Sequence, residues 1–251
     1  MKISVITVTF NSASTVEDAM RSVLRQTWDD LEYIVIDGGS TDGTTDIIQR
    51  YEQLFGGRMK WISEPDDGIY DAMNKGVRMA TGDVVGILNS DDFFTANDVV
   101  ERLAQSFTPD IEGVYGDVHF VKGNDLKRNV RTYSGRLFRP WMVRLGFIPP
   151  HPSLYLRRRM YERHGLYDSA LRISADFELI ANIAYVKGER LKYVPLDVVT
   201  MRTGGESTKS LMNRRLGTRE DLMACRKLGI ASNSLLIHMK YFLKLYGALR
   251  P

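Results

Sequence analysis

The sequence predicts an α/β fold, a mostly parallel sheet flanked by helices, with a helical C-terminal extension. Two observations carry this. Four apolar, β-branched runs of strand length alternate with three segments of helical periodicity between residues 3 and 88. The strand-length runs are nearly continuous rather than alternating with polar residues, as strands buried on both faces are. A β-α-β-α-β-α-β order of this kind closes into a parallel sheet through helical crossovers.

Residues 3–10 (ISVITVTF) form the first strand. Ser14 and Glu17 read as a capping-box pair, and Val16, Ala19, Met20, Val23 and Leu24 follow at helical spacing. Residues 33–37 (YIVID) are the second strand, and Gly38-Gly39-Ser40 turns into a helix over 41–55 with Ile47, Ile48, Tyr51, Leu54 and Phe55 inward. Residues 59–63 (MKWIS) are the third strand. A helix over 69–80 puts Ile69, Ala72, Met73, Gly76, Val77 and Ala80 on one face, and 84–88 (VVGIL) is the fourth strand. The second half is less regular. It holds a strand over 113–121 paired with 127–133, then a helix over 174–186 packing Phe177, Ile180, Ala181, Ala184 and Tyr185. A short strand over 191–194, a loop at Gly204-Gly205 and helices over 210–228 and 234–245 complete it.

The formal net charge of +3 conceals an asymmetry. Residues 1–126 carry 10 Lys and Arg against 22 Asp and Glu, a net of −12, whereas residues 127–251 carry 24 against 9, a net of +15. Either one half uses carboxylates while the other faces an anion, or two surfaces of opposite sign attract each other. The composition, 43% hydrophobic and 26% charged, excludes disorder, collagen and a coiled coil. No apolar run reaches the ~18 residues of a membrane span, and the N-terminus reads as a strand rather than a signal peptide. A single cysteine, Cys225, forms no internal disulfide, so the expected location is the reducing cytoplasm.

In a parallel sheet, ligands bind beyond the carboxyl ends of the strands. Thr9-Phe10-Asn11-Ser12 offers small polar groups at a helix start, suited to an anionic or nucleotide ligand or simply to shaping the turn. Asp37 closes a buried strand, where a carboxylate needs donors. A nucleobase imide, a ribose hydroxyl or the Gly38-Gly39 turn would supply them. The glycine spacing is not GxGxxG, which argues against a dinucleotide site. Glu64, Asp66, Asp67 and Asp71 stand beside Asn74 and Lys75. Asn89-Ser90-Asp91-Asp92 sets adjacent carboxylates at the end of an apolar strand, costly unless a cation neutralises them. Hard oxygen ligands select Mg²⁺ or Mn²⁺; the alternative is a helix N-cap.

Together these stretches resemble family 2 glycosyltransferases, enzymes of the Rossmann-like GT-A fold. The matching segments are 5–11, 34–43, 68–76, 81–83, 88–92, 151–153 and 175–178, and the likeness covers residues 1 to about 205. It implies a GT-A domain over 1–205, with a nucleotide and metal half (1–126), an acceptor half (127–205) and a helical extension (206–251). It implies an inverting transfer from a nucleotide-diphosphate sugar, UDP-sugar favoured, to a hydroxyl of a glycan or lipid-linked acceptor in bacterial polysaccharide biosynthesis. Thr9 and Asp37 would contact the nucleoside, with Asn11, Asp67 and Asp71 also binding the donor and Asn74 and Lys75 near its diphosphate or sugar. Asp91 and Asp92 would hold Mn²⁺ or Mg²⁺, Asp91 also facing the donor. Asp176 stands where the family carries its general base, and His151 near the diphosphate or acceptor. Two departures stand out: many members have paired aspartates where this chain reads Asp37-Gly38, and the metal motif opens with Asn89.

The basic half offers Arg157-Arg158-Arg159, Arg163, Arg214, Arg215 and Arg219 to an anionic acceptor or a membrane surface. Residues 233–249 read as a mostly apolar helix with Asn233, Lys240 and Lys244 in a narrow stripe. That suits peripheral contact with the inner leaflet, or packing on the domain or a second subunit. Nucleic acid is argued against as a partner, because no binding motif is readable and the acidic half would repel it. A sugar-nucleotide nucleotidyltransferase would share sheet and metal but needs a Gly-rich basic loop, and residues 10–15 hold no Lys or Arg.

Overall fold

β1 (Ile3–Thr9) and β2 (Leu31–Asp37) are buried along their whole length, as their unbroken apolar pattern requires. The computed structural model describes residues 1–122, 125–204 and 211–248. Within them β1, β2, β3 (Met59–Ser63) and β4 (Val84–Ile87) run parallel in the order β3-β2-β1-β4. α1 (Val16–Leu24), α2 (Thr44–Leu54) and α3 (Ile69–Met79) make the crossovers. α3 approaches the sheet closely because Gly76 has no side chain: a Cβ there would stand 2.4 Å from Ile6 Cγ2.

The sheet continues from β4 through antiparallel β8 (Tyr155–Arg157) to β6 (Gly113–Lys122), β9 (Leu191–Arg202) and β5 (Phe93–Phe94). β7 (Asp125–Tyr133) pairs antiparallel with β6, as the pattern of 127–133 predicts. One apolar cluster joins the sheet to α1, α2 and α4 (Val99–Gln105). The other joins it to α3, α5 (Arg158–His164), α6 (Ala175–Ala181), α7 (Leu211–Lys227) and α8 (Ser234–Ala248). The C-terminal helices are therefore part of the core rather than an appendage. At Gly146 (φ +69) a Cβ would meet Ile237 O at 2.9 Å, so α8 lies hard against the chain there. No helix among the described residues is long and apolar enough to cross a membrane.

Local details differ from the sequence pattern. Ser14 and Glu17 form no capping box: α1 begins at Val16 without a side-chain cap, and Glu17 accepts from Arg21 and lies within reach of Tyr51 OH. Leu54 and Ile69, which the periodicity turns inward, are exposed at the ends of their helices. The helix over 174–186 is α6 followed by a π-helical turn, Asn182–Val186, which carries Tyr185 outward. β9 runs past Pro195 rather than stopping at Val194, and its register against β6 slips between Tyr115 and Asp117 to pass the proline. Gly205, Ser210, the 205/206 boundary and residue 249 lie outside the described residues.

Candidate active site at the carboxyl edge of the sheet

β1 has β2 on one side and β4 on the other, so connections leave it in both directions and a crevice opens at the strand ends. The loops around this crevice are tied together. Gly38 N–H donates to Thr9 O at 2.9 Å. Asn11 has a left-handed backbone (φ 47), which asparagine tolerates better than branched residues. Its N–H donates to Ser40 Oγ at 2.7 Å and its Oδ1 accepts from Thr41 N–H at 2.9 Å. Ser90 Oγ donates to Ser12 Oγ at 3.0 Å, joining the loop after β4 to the loop after β1.

Two polar atoms at this edge go unanswered. Thr9 Oγ1 and Asn89 Oδ1 are buried without a hydrogen-bond partner, a condition folded proteins rarely keep without a ligand or solvent. Beside Asn89, Asp92 is buried and Asp91 half-buried. Burial pushes both carboxyls up, Asp92 well above its ordinary value, with the charge of Asp91 adding to its rise. Arg202 ties the turn down by donating to Asp91 O at 2.6 Å and Asp18 Oδ2 at 2.5 Å, contacts that leave both motif carboxylates without a direct cation. Neither aspartate caps a helix, since α4 starts only at Val99 with Asp98 before it. Two carboxylates and an orphaned amide oxygen fit a hard divalent ion. Among the described residues no three His, Cys, Asp or Glu side chains converge as ligands, so the remaining ligands would be diphosphate and water oxygens.

Asp37 takes its donors from the protein itself. Gly39 N–H, Ser40 N–H and Ser63 Oγ reach its Oδ2 at 3.1, 2.9 and 2.7 Å, and Ser40 Oγ reaches Oδ1 at 2.5 Å. At 0% exposure it anchors the turn, which corrects the nucleoside contact that the resemblance implies. The absent side chain at residue 38 has a counterpart. A Cβ on Gly38 would lie 2.6 Å from Asp66 Oδ2 and 3.3 Å from Phe10 Cδ2, so Asp66 fills the space of the missing aspartate. Phe10 is 61% exposed beside it, an apolar side chain left in solvent at a strand end.

Along the third loop, Lys75 Nζ donates to Pro65 O at 2.8 Å and pairs with Glu64 at 3.0 Å and Asp71 at 3.6 Å. The hydrogen bond with Glu64 is the main reason its pKa is raised. Asp67 is exposed, and its N–H donates to Asp71 Oδ2 at 3.2 Å. Asn74 requires correction. It lies on the buried face of α3, where its Nδ2 donates to Tyr167 O at 2.8 Å and its Oδ1 accepts from Tyr167 N–H at 3.0 Å. It clamps that loop and does not face the diphosphate.

Asp176 stands in the first turn of α6. Its Oδ1 accepts from Phe177 N–H at 2.8 Å and is 3.3 Å from Tyr70 OH, which donates to Ile173 O at 2.6 Å. Its Oδ2 takes no hydrogen bond from the described residues, as a proton acceptor requires. His151 reaches this neighbourhood through Tyr167, whose OH is 2.8 Å from its Nε2. Burial holds the His151 pKa down against the opposing charge of Asp176, and the ring braces Tyr167. Sequence reasoning misses Glu220, buried on α7, which accepts the N–H groups of Arg172, Ile173 and Ser174 at 3.0, 2.8 and 3.0 Å. The signal for it is the acidic pair Glu220-Asp221 in an otherwise basic helix. Asp221 in turn receives Lys240 at 2.7 Å, and Lys244 Nζ lies 4.4 Å from the Tyr133 ring centroid. The lysine stripe therefore faces the protein and not headgroups, while Leu235, Phe242 and Leu245 face outward at 77%, 68% and 61% exposure.

With this geometry in view, comparison with known proteins is informative. The family described as Glycosyl transferase family 2 matches residues 4–164. A PGL/p-HBAD biosynthesis glycosyltransferase of Mycobacterium bovis (strain BCG / Pasteur 1173P2) is 33% identical over 178 residues, 70% of this chain and 66% of that relative. The chain thus matches about two thirds of the relative's length, 66%. S. aureus TarS 1–349 in complex with UDP superposes with a TM-score of 0.67 at 17% identity, covering 96% of this chain and 71% of that one. The mannosyltransferase PcManGT from Pyrobaculum calidifontis, in complex with GDP-Man and Mn²⁺, gives 0.66 at 19% identity, covering 99% and 72%. The structural likenesses show the GT-A fold. The extent of the family match shows that the chain belongs to glycosyl transferase family 2.

Proposed function

We propose that the chain is an inverting glycosyltransferase that moves a sugar from a nucleotide-diphosphate donor, UDP-sugar favoured, to a hydroxyl of a glycan or lipid-linked acceptor in bacterial polysaccharide biosynthesis. The observation that carries the reading is the Asn89–Asp92 turn. It sets two half-buried or buried carboxylates without a direct cation, and an orphaned amide oxygen, at the switch point of the sheet. Residues 1–126 would serve donor and metal, and residues 127–205 the acceptor.

Thr9 and Asn11 would line the start of the crevice, and Phe10 and Asp66, both close to Gly38, would meet a nucleobase. Asp67, Asp71, Lys75 and Asp91 border the donor's sugar and diphosphate. Mn²⁺ or Mg²⁺ held by Asp91 and Asp92 would supply positive charge to the departing diphosphate. Asp176 takes the proton of the acceptor hydroxyl through its free Oδ2 as that oxygen bonds to the anomeric carbon. The bond from the anomeric carbon to the diphosphate breaks, its electron pair leaves with the diphosphate, and the configuration inverts. Tyr70 and Glu220 hold the loop and helix start that present Asp176.

The outer face of α8 carries Leu235, Phe242 and Leu245, and its N-terminal end at Ser234 borders a groove lined by Arg215, Arg219 and Arg226 of α7. Apolar residues beside cations suit peripheral attachment to the anionic inner leaflet, where lipid-linked acceptors are held. Thermal unfolding against a panel of UDP- and GDP-sugars, with Mn²⁺ or with EDTA, tests the donor reading. One donor should stabilise by about 2.7 kcal/mol at a hundredfold excess over Kd. Asp176→Asn should keep that stabilisation and lose transfer. The proposal fails if no donor stabilises the protein with Mn²⁺, or if Asp176→Asn transfers sugar at the wild-type rate.

A further inference from the structure

Lys75, Arg202 and Lys240 near the site pair with acidic side chains, whereas among the described residues Lys244 and Arg131 do not. Lys244 reaches under α8 onto Tyr133, and among the described residues it makes no ion pair or hydrogen bond. Arg131 stacks on Phe120 with its guanidinium carbon 3.9 Å from the ring centroid, and it too has no acidic partner. Arg131 and Tyr133 are two residues apart on β7 and so share a face of the strand. Lys244 and Arg131 thus flank one tyrosine ring. Burial, with Lys240 and Arg131 adding repulsion, lowers the Lys244 pKa to about 8, while Asp176 and Asp221 oppose the fall. The charge of Asp176 acts on both Tyr133 and Lys244, which sets Lys244 in the neighbourhood of the proposed base, and Arg131 joins it through Lys244 and Tyr133.

An ammonium drawn out of water without a counter-ion is unfavourable, and a ligand that supplies the counter-ion relieves it. The donor cannot supply it, because its diphosphate belongs at the β1 and β4 ends with Asp91 and Asp92. The acceptor can. We propose that Lys244 and Arg131 form an anion subsite beside Asp176 that binds a phosphate group carried by the acceptor. A guanidinium fork and a compact ammonium together match the oxygens and double charge of a phosphate. The proposal rests on Asp176 being the base, and it gives α8 a part in acceptor binding as well as in the fold.

Titration of the full chain with inorganic phosphate, with Mn²⁺ and UDP saturating the donor site, tests it. The wild type should bind phosphate saturably. Lys244→Met, which keeps an unbranched stem on Tyr133, should bind at least tenfold more weakly, and Lys244→Arg should bind within about threefold of wild type. Arg131→Gln, on β7 rather than on α8 itself, should also weaken binding and provides a second reading if Lys244→Met disturbs the helix. A soluble monosaccharide phosphate and vesicles carrying an isoprenyl phosphate, run as separate arms, identify the source of the phosphate. Whichever arm loses binding in Lys244→Met and Arg131→Gln supports the subsite. Equal binding by wild type and both variants, or none by the wild type, overturns it. Failure of the donor reading shows separately, as absence of Mn²⁺-dependent UDP binding in every form.

Discussion

Glu220→Ala removes the acceptor of three backbone N–H groups that precede Asp176. Hydrogen bonds to a charged acceptor contribute ~1.5–3 kcal/mol each when the donor cannot turn to water. Arg172 is exposed, so its N–H is rehydrated, whereas Ile173 is half-buried and Ser174 buried. Two stranded donors cost about 4 kcal/mol. For a chain of this size each kcal/mol lowers Tm by about 2–4 °C, so a fall of about 8–16 °C is expected. Glu220→Gln keeps one acceptor oxygen and should lose about half as much. The functional effect is selective, because Glu220 holds the loop before the base and none of the donor-side strand ends. Transfer should drop at least tenfold while Mn²⁺-dependent UDP affinity stays within twofold, measured by calorimetric titration beside a thermal scan. A Tm change under about 2 °C in Glu220→Ala, or parallel losses of UDP affinity and transfer, would refute this account.

Other outcomes follow from the same contacts. Asp92→Asn should abolish stabilisation by Mn²⁺ with UDP while raising Tm in their absence, because a buried carboxylate without a counter-ion is removed; a variant that keeps metal-dependent UDP binding contradicts the ligand assignment. Leu235→Ser with Phe242→Ser should leave Tm nearly unchanged, since both side chains face outward, and reduce co-sedimentation with anionic vesicles several-fold. Glu32 sits at the opposite end of the sheet. Burial raises its pKa, but hydrogen bonds from Thr81, Ser4 and Lys60 prevail and bring it down to about 2. Its stabilisation, about 3 kcal/mol, is complete above pH ~4.5 and disappears as pH falls towards 2, so Glu32→Gln should be less stable at pH 7 and flatter in an acid titration. Lys244 faces Tyr133 and Arg131 of β7, Lys240 of α8, Asp221 of α7 and Asp176 of α6. It loses its proton as pH rises through about 8, so phosphate binding should weaken between pH 7 and 9 in the wild type and not in Lys244→Arg.

The parallel half of the fold was legible because it is written locally: each strand is an apolar run, and each crossover helix repeats at 3.6 residues. Candidates for metal and base could be named for a similar reason, since Asp91, Asp92 and Asp176 sit in short contiguous motifs. What escaped was set by tertiary contact. Asn74 lies beside Lys75 in sequence, yet the helix turns it to the opposite side, onto Tyr167. Asp37 reads as a carboxylate awaiting a ligand until Ser63, 26 residues on, closes over it. Glu220 and Lys244 are separated from Asp176 by 44 and 68 residues, and no local pattern links them. Pro195 hid most of β9 because a proline ends a strand unless the register slips, as it does here.

The opposite charges of the two halves are now divided between two explanations. Part of the asymmetry is mutual attraction. Arg159 pairs with Glu112, Arg190 with Asp110 and Arg202 with Asp18, each joining a basic residue of the second half to an acid of the first. Arg157 and Arg158 are spent on carbonyl oxygens, of Ile111 and Thr108 and of Gly82, and so are not offered to an acceptor. Their work is to fasten β8 and α5 against the first half, and losing any one should cost stability before it costs acceptor affinity. The cations that remain divide by place. Arg215, Arg219 and Arg226 lie on the outside, lining a groove that borders the N-terminal end of α8. Lys244 is half-buried on the inner side of α8 against Tyr133, with exposed Arg131 two residues away from that tyrosine on β7. Raising salt separates the two groups: exposed arginines are screened within about 8–10 Å at physiological ionic strength. Vesicle binding should therefore fall steeply between 0.05 and 0.5 M NaCl, while phosphate binding at half-buried Lys244 should fall less. An equal salt dependence for both would mean that Lys244 is as exposed as the outer arginines, contrary to its position between α8 and Tyr133.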